Sequence, residues 1–274
     1  MTISRRTALT GASAVAFLGG STELGAASVA RRAMSAIVNG GRYRNTQTSQ
    51  RFLQLLIHQD ETRHMPYSAE ISIRAKDTAW YAINTLSDVQ YGLTNKAYKK
   101  RGYRLKFVNA FKTRDGVRYA ACWELASGPD WNSRHGMTLS QFQAANSDFA
   151  GKGFRLSYLD TRAGYAAMWE RGDVSSQQIL SGLAQSDFEQ QHTNLVGQGY
   201  RPERISVHAE QGAPRFAAIY EKDSGSTWKS AHQMSAANFH KTDAALKSQG
   251  YRLVDASGYM QGHNPTFSGI WGII

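Results

Sequence analysis

Two serine–histidine pairs are the residues whose types could perform hydrolysis. Ser133 stands two positions before His135, and Ser230 stands two positions before His232. A serine activated by a histidine is the usual arrangement for attack on an acyl group. These four residues are therefore weak catalytic candidates. Polar residues hold the histidine position in every copy of the repeat described below, which favours a structural hydrogen bond over catalysis.

A third candidate is the sequence Ser226-Thr227-Trp228-Lys229, which matches Ser-x-x-Lys. In β-lactamase-like enzymes this motif begins a helix and activates its serine. Here it falls in a predicted loop without an accompanying Lys-Thr-Gly triplet, so we interpret it as coincidence. No glycine-rich phosphate loop and no zinc-ligand spacing occurs in the chain, and the sequence predicts no cofactor and no metal.

Aromatic and basic residues adjoin one another around both serine–histidine pairs. Such neighbours could form a ligand surface, because aromatic rings and cations both contact polymers and anions. The alternative is that the tryptophans anchor the loop to a helix. The candidate surface consists of Trp131, Arg134, His135, Trp228, Lys229 and His232.

The elements that position these residues belong to a tandem repeat. The block Gly102-Tyr103-Arg104-Leu105 recurs from Gly153, Gly199 and Gly250, at intervals of 51, 46 and 51 residues. A second block, Tyr/Phe followed by two small residues, an apolar residue and an aromatic, keeps the same order in all four copies. A third column is tryptophan at 80, 131 and 228. The third unit lacks this tryptophan and is five residues shorter than the others, and we place the missing residues near 172–176.

Each unit divides into a hairpin, a loop and a helix. In the first copy, 103–111 and 117–125 alternate like strands, 126–137 contains Gly128-Pro129 and reads as an irregular loop, and 138–152 reads as a helix. A degenerate leading hairpin is predicted at 52–58 and 69–74. The sequence thus predicts five hairpins joined by four helices.

Alternation along the strands assigns the two faces of each hairpin. Tyr103, Leu105 and Phe107 should meet the helices together with Trp123. The turn centres place an arginine opposite a glutamate on the other face in three hairpins, which predicts three structural ion pairs that set the register. The predicted pairs are Arg104–Glu124, Arg155–Glu170 and Arg201–Glu221.

Composition and charge describe an ordinary folded protein with a basic surface. The chain has 274 residues, 41% hydrophobic content and a formal net charge of +11. This charge favours polyanionic partners, such as a polymer of the cell envelope or the extracellular space, although another secreted protein is an alternative. The single cysteine, Cys122, excludes an intrachain disulfide, and its repeat column is apolar, so we interpret it as a core thiol.

The N-terminus reads as an export signal. Arg5 and Arg6 precede a short apolar stretch and the small-residue triplet that ends at Ala30, which is the pattern of a secretory signal. The paired arginines resemble the twin-arginine signal. We therefore predict a signal peptide at 1–30, a mature N-terminal segment at 31–50 and a periplasmic or extracellular location. The apolar stretch is too short for a transmembrane helix.

The three repeat blocks, with Trp131-Asn132-Ser133-Arg134-His135-Gly136-Met137, resemble the bacterial tandem repeat domain. Similar repeats form the N-terminal part of secreted polyglycine hydrolases, in which a separate β-lactamase-like domain performs the chemistry. The resemblance implies an architecture and an extracytoplasmic setting. It does not imply proteolysis by the repeats themselves.

The predicted fold class is α+β, with tandem strand–strand–helix repeats that form a curved antiparallel sheet, half-barrel or barrel-like, and helices on one face. The repeat domain spans 51–274, with units at 51–101, 102–152, 153–198 and 199–249 and a final hairpin at 250–274. The predicted function is a non-enzymatic binding or scaffolding module outside the cytoplasm. The alternative is a secreted, peptidase-like hydrolase with a site built from repeat loops, or an accessory subunit of one. The sequence predicts no specific nucleic-acid partner.

Overall fold

The structure is a computed structural model, and it describes residues 49–59, 66–75, 80–113, 116–223, 225–261 and 264–273. The predicted signal peptide lies outside the described residues, as does the mature segment before residue 49. The helices are α1 Asp88–Lys100, α2 Leu139–Gly151, α3 Gln185–Gly197 and α4 Ala236–Ser248. The strands are β1 Ser49–Gln59, β2 Pro66–Ala75, β3 Trp80–Leu86, β4 Tyr103–Thr113, β5 Gly116–Leu125, β6 Trp131–Met137, β7 Phe154–Asp160, β8 Tyr165–Arg171, β9 Gln177–Leu183, β10 Tyr200–Glu210, β11 Ala213–Lys222, β12 Trp228–Ser235, β13 Arg252–Gln261 and β14 Asn264–Gly272.

Four copies of one unit account for the chain after β2. Each unit has an outer strand, a helix and a hairpin, and its three strands form an antiparallel sheet in the orders β3-β5-β4, β6-β8-β7, β9-β11-β10 and β12-β14-β13. The outer strands occupy the segments predicted as loops, so the prediction of an irregular 126–137 is wrong for Trp131–Met137. Since each described sheet is separate, the described residues do not form the predicted single curved or barrel-like sheet.

The leading hairpin is confirmed. Strands β1 and β2 pair antiparallel over the predicted segments. The pair contacts β4 of the first unit and β13 of the last unit. This hairpin therefore lies between the two ends of the array of units.

Local sequence explains where each helix begins and ends. The side chains of Ser87 and Thr138 each accept a hydrogen bond from the backbone N–H of a glutamine three residues on. The side chain of that glutamine accepts a hydrogen bond from the backbone N–H of the cap residue, which completes a capping box. At α4 the side chain of Ser235 accepts the corresponding backbone hydrogen bond. Ala184, at the start of α3, provides no side-chain cap. The glycine that opens each repeat block follows the helix with a positive φ, as at Gly102 (83°), which only glycine adopts without strain.

The aromatic column of the second block forms the centre of each core. Trp123, Trp169, Tyr220 and Trp271 are all 0% exposed, as their predicted position between sheet and helix requires. Each indole donates its Nε1–H to the helix above it, for example Trp123 to Oδ1 of Asn95 at 2.8 Å. Burial of these rings therefore leaves no indole donor unsatisfied.

A bulge alters the predicted faces in every hairpin. The register shifts after Leu105 in the first hairpin and at the equivalent place in the other three. As a result Phe107 lies opposite Cys122, on the face away from the helix, and Val108 takes its place towards the helix side. The assignment of Phe107 to the helix face is therefore wrong, because one extra residue reverses the alternation.

The five missing residues belong to a hairpin turn and not to the segment near 172–176. Strands β7 and β8 have 7 residues each, whereas β4 and β10 have 11. The outer strand β9 has the usual 7 residues, and Gln177 occupies the position that tryptophan holds in β6 and β12. The second unit thus carries a shortened hairpin.

Side chains join the sheets of neighbouring units where backbone ladders are absent. The N–H of Ala110 donates to Oδ2 of Asp160 in the next unit at 2.7 Å. At the equivalent positions Thr161 donates to Oγ of Ser206 at 3.0 Å and Val207 to Oγ of Ser257 at 3.1 Å. One buried polar column therefore satisfies strand N–H groups across three unit boundaries, as buried backbone donors require.

Candidate functional site

Ser133 lies on outer strand β6, against helix α1 of the preceding unit. Its Oγ accepts a hydrogen bond from Nδ2 of Asn95 at 2.9 Å. The hydroxyl of Tyr91 is also hydrogen-bonded to Ser133. The serine is thus held by two groups of α1, and its contacts link two units.

His135 faces the same helix. Its Nε2 lies 3.2 Å from Oδ1 of Asp88. The ring meets Tyr91 and Tyr119 edge-on, with centroid separations of 4.5 and 5.2 Å. Burial lowers the pKa of His135, and the Asp88 carboxylate opposes that shift. The histidine is packed between aromatic rings and bonded to a helix terminus, while Ser133 takes its hydrogen bonds from Asn95 and Tyr91.

The second pair, on β12, is arranged differently. Ser230 Oγ is 3.5 Å from Nε2 of His192, a residue of α3, and Nδ1 of His192 is 2.7 Å from the hydroxyl of Tyr220. Burial and the charge of neighbouring His232 lower the pKa of His192 to about 4. A neutral imidazole between two hydroxyls can accept a proton, but 3.5 Å is at the limit of a hydrogen bond.

His232 packs on the rings of α3. Its centroid is 5.3 Å from that of Phe188 and 5.6 Å from that of His192. Burial lowers its pKa, against the opposing charge of Glu189. Its column partner His135 also contacts the preceding helix, so both predicted histidines serve the contact between units.

Trp131 is buried, with 6% of its surface exposed, and it lies beneath a lysine of α1. Nζ of Lys99 is 4.6 Å from the ring centroid and also donates to the carbonyl of Trp131. Arg134 extends over the ring of Phe149, 5.1 Å from its centroid. The prediction that Trp131 lies in a loop is wrong, and the ring is not open as a binding platform.

Trp228 also lies on a strand, where it is half-buried, and the prediction of a loop is wrong here too. Its Nε1 donates to Oδ2 of Asp223 at 3.3 Å. Ser226 donates to Oδ1 of the same carboxylate at 2.6 Å. The hydroxyl of Ser226 is thus hydrogen-bonded to Asp223. The sequence Ser226-Thr227-Trp228-Lys229 leads into a strand, so it lacks the helix that the Ser-x-x-Lys motif of β-lactamase-like enzymes begins. Lys229 is exposed.

The register of the three arginine–glutamate positions is as predicted, but the ion pairs are not. Arg104 lies opposite Glu124, Arg155 opposite Glu170 and Arg201 opposite Glu221. The long arginine side chains nevertheless reach forward to the next unit. The observed ion pairs are Arg104–Glu170 at 2.7 Å, Arg155–Glu221, and Arg201 with Glu203 and Asp223.

This substitution of partners has a simple cause. The glutamate column of one sheet faces the arginine column of the preceding sheet, so the guanidinium crosses the unit boundary. The last unit has Gly272 at the glutamate position, so Arg201 takes carboxylates of its own unit instead. The prediction of ion pairs within each hairpin is therefore wrong. The ion pairs that join one unit to the next could not be inferred from the alternation of residues along the strands.

Two further properties of the described residues bear on function. No group of three or more His, Cys, Asp and Glu side chains in them is placed to hold a metal ion. In the same residues, none of the helices combines the length and apolar character needed to cross a membrane.

The repeat geometry agrees with a known family. A family model described as polyglycine hydrolase-like, structural repeat, matches the chain four times, at 77–125, 128–172, 176–223 and 225–272. The chain belongs to this family. Each match contains one outer strand, one helix and one hairpin, in that order. The comparison with curated protein sequences gives no match.

Sequence reasoning missed the residues at the turn of the shortened hairpin. Arg162 donates from Nε to Oδ1 of Asp160 at 2.6 Å, and from Nη2 to Asn109 of the preceding unit. His208 of the following unit lies beside Thr161, with Nδ1 3.1 Å from its Oγ1. The signal was present: Gly153 precedes Tyr165 by 12 residues, whereas Gly102 precedes Tyr119 by 17.

Proposed function

We propose that this protein is an exported, non-enzymatic module that binds or scaffolds an anionic polymer outside the cytoplasm. The observation that carries the proposal is the use of the hydrolytic candidates. Ser133, His135 and His232 all contact the helix of the preceding unit, where they hold the array together. Since these side chains have a structural role between units, we assign binding to the outer surface of the array.

Charge and architecture support the same function. The chain carries a formal net charge of +11, so polyanions are attracted to it over a Debye length of about 8 Å at physiological salt. Repeat arrays also present extended surfaces on which equivalent positions contact successive groups of a polymer. Membership of the polyglycine hydrolase-like repeat family fits a role beside a catalytic protein, since that family is described as structural.

The test is retention of the purified mature chain, from residue 31, on immobilised polyanions. Polygalacturonate and polyglycerol phosphate resins present carboxylates and phosphodiesters, and dextran of matched bead size is the neutral control. We expect retention on an anionic resin and elution as salt rises to about 1 M, where screening acts within about 3 Å. Passage through all three resins at low salt would contradict the proposal.

The second candidate function is hydrolysis by Ser230 with His192 of helix α3, favoured by the 3.5 Å approach of Oγ of Ser230 to Nε2 of His192. Glycine-rich peptides are the substrate class to test, because the family's description names a polyglycine hydrolase. Cleavage by the mature chain that disappears in Ser230→Ala and persists in Ser248→Ala would establish the enzyme and refute the non-enzymatic proposal. Stimulation of a separate hydrolase by the mature chain would instead support an accessory role.

Export is tested separately through the leader. Changing Arg5 and Arg6 to lysine keeps the charge but removes the twin-arginine pair. We expect the double variant to stay in the cytoplasm as an unprocessed precursor, while a control variant with Arg31 and Arg32 changed to lysine is still exported. Normal processing of the first variant would refute the twin-arginine assignment.

A further inference from the structure

Helix α1 of the first unit carries an outward-facing line of residues that is half apolar and half basic. The side chains of Val89 and Leu93 are 68% and 65% exposed, and Lys96 and Lys100 are exposed as well. At about 100° per residue, these four positions lie within about 60° of one another around the helix. The buried residue of α1, Tyr91, lies on the opposite side. We call the four exposed residues the outer line of α1.

Comparison of the units shows that the fold does not require these residues. In the other three helices the equivalent positions hold no large apolar side chain. The equivalent residues are Ser140, Ala144, Ser147 and Gly151 in α2, Ser186, Gln190, Thr193 and Gly197 in α3, and Ala237, Lys241, Ala244 and Ser248 in α4. Helices α2 and α3 also have no basic residue in the last turn, so the units fold without lysine there to offset the helix dipole.

A further exposed apolar side chain lies near the C-terminal end of the same helix. Leu125 is 46% exposed. A Cβ on Gly102, the second residue after α1, would lie 3.5 Å from Cδ1 of Leu125. Val89, Leu93 and Leu125 are thus three of the six most exposed large apolar side chains among the described residues, and all three belong to the first unit.

The composition of the outer line indicates what covers it. Helix α1 contains three lysines and one acidic residue, Asp88, whose carboxylate lies 3.2 Å from Nε2 of His135. A soluble polyanion would contact the lysines but would leave two aliphatic side chains in water. A second copy of the chain would place lysines against lysines in a parallel pair and lysines against Val89 and Leu93 in an antiparallel pair, and neither arrangement is complementary. A surface of anionic lipids matches both halves, because apolar side chains enter the boundary below the headgroups while lysines reach the phosphates.

We propose that the outer line of α1 docks on a membrane surface that is rich in anionic lipids. Val89 and Leu93 enter the headgroup region, and Lys96 and Lys100 contact lipid phosphates. The contact is a second partner surface, beyond the proposed binding of a polymer and independent of it. Since only two aliphatic side chains enter, the binding is reversible and depends on salt.

The first test is co-sedimentation of the mature chain, from residue 31, with lipid vesicles. Equimolar phosphatidylcholine and phosphatidylglycerol gives an anionic surface, and phosphatidylcholine alone is the neutral control. A lysine near an anionic surface strengthens binding about five-fold, so the outer line should favour the anionic vesicles by at least about ten-fold at low salt. Equal binding to both kinds of vesicle, or binding to neither, overturns the proposal.

A fluorophore on the helix then reports whether the outer line itself meets the lipid. Leu93→Cys is labelled with a polarity-sensitive dye through its thiol, which is selective because Cys122 is buried. Ala144→Cys, at the equivalent exposed position of α2, is the matched control. We expect anionic vesicles to shift the emission to the blue at position 93 and not at position 144. Absence of a shift at position 93, or an equal shift at both positions, overturns the proposal.

Variants assign the affinity to the two halves of the line. Leu93→Gln should weaken vesicle binding about ten-fold through lost apolar contact, and Lys96→Gln about five-fold through lost charge. Val196→Gln and Lys241→Gln remove an exposed valine from α3 and an exposed lysine from α4, and each should change binding less than about two-fold. All four positions are exposed, so the thermal midpoints should stay close to that of the unchanged chain.

Three results would assign the outer line to something else. Equal losses in Lys96→Gln and Lys241→Gln, with none in Leu93→Gln, would show attraction by net charge alone. A dimer without lipid that Leu93→Gln abolishes would assign the line to a second copy of the chain. An equal loss of retention on the polyanion resins in Leu93→Gln would assign it to the polymer. Each of these results overturns the membrane proposal, and the first two leave the proposed polymer binding standing.

Discussion

The partner of Arg155 is the sharpest test of how the units join. Its Cα lies opposite that of Glu170 within one hairpin, yet its Nη2 bonds Oε1 of Glu221 in the next unit. A double-mutant cycle on each pair separates these two relations. The variants are Arg155→Gln with Glu221→Gln, and Arg155→Gln with Glu170→Gln, which keep side-chain size and remove the charge.

The expected coupling follows from burial. Side-chain exposure is 38% for Arg155 and 11% for Glu221, so the pair is neither a solvated surface pair nor fully desolvated. Exposed pairs contribute about 0.2–1 kcal/mol and hydrogen bonds to charged groups about 1.5–3 kcal/mol. We therefore expect a coupling energy of about 1–1.5 kcal/mol for Arg155 with Glu221. For Arg155 with Glu170 we expect less than about 0.5 kcal/mol, because Glu170 bonds Arg104 instead.

Urea unfolding of the unchanged chain, the three single variants and the two double variants at low salt measures both cycles, provided that each transition remains two-state. The Glu221 coupling should decline as salt is raised, because part of the pair is exposed to solvent. A larger coupling with Glu170 than with Glu221 would refute the reasoning and restore the arrangement within each hairpin.

Three other perturbations should have defined effects on the free energy of unfolding, each measured by urea titration. Trp169→Ala should cost about 3–5 kcal/mol, because the side chain is 0% exposed, whereas a loss below about 1 kcal/mol would place it outside the core. Ser257→Ala should cost about 1–3 kcal/mol, since it leaves the N–H of Val207 without an acceptor, and Ser248→Ala on the exposed end of α4 is the control. Stability should fall as pH decreases from about 6.5 to about 4, because the pKa of His192 is lowered to about 4 when folded and the unfolded chain binds the proton first. His192 is partly solvated, so its share is on the order of 1 kcal/mol after screening, and an equal pH dependence in His192→Gln would contradict the assignment.

Hairpins, helices and register could be predicted because local signals specify them. Turn centres fix which residues lie opposite, as Arg104 and Glu124 show. Serine or threonine caps and a following glycine define the ends of most helices. Burial of the aromatic column of the second block, which contains Trp123 and Trp169, follows from alternation along the strands. These features depend on residues near one another in sequence, where the physical rules are strong.

The outer strands could not be predicted by the same rules. The segment Trp131–Met137 pairs on one side only, and its polar residues meet a helix of another unit instead of solvent. Its alternation is therefore not one of apolar and polar residues. The bulges were missed for a related reason, since one extra residue in a strand has no compositional signal. The direction of Arg155 was missed because register constrains Cα atoms and not the ends of long side chains.

One column of helix residues links neighbouring units at two of the boundaries. Asn95 accepts from the indole of Trp123 in its own unit and donates to Ser133 of the next unit. A single side chain thus completes one core and binds the following strand. A polar residue between two units is worth retaining here because both of its hydrogen-bonding groups are satisfied.

The same column in the third unit holds His192, which bonds Tyr220 of its own unit and approaches Ser230 of the next. Because burial lowers the pKa of this histidine to about 4 in the folded protein, its protonation opposes folding as pH falls, and the boundary between the third and fourth units should be the most acid-sensitive of those described. At the boundary between the second and third units, Asn146 accepts a hydrogen bond from Trp169 of its own unit, and Ile179 stands in the next unit where Ser133 and Ser230 stand in theirs. Acid should therefore loosen the array first at the boundary between the third and fourth units. The contact of Ser230 with His192, which suggested catalysis, lies at that boundary.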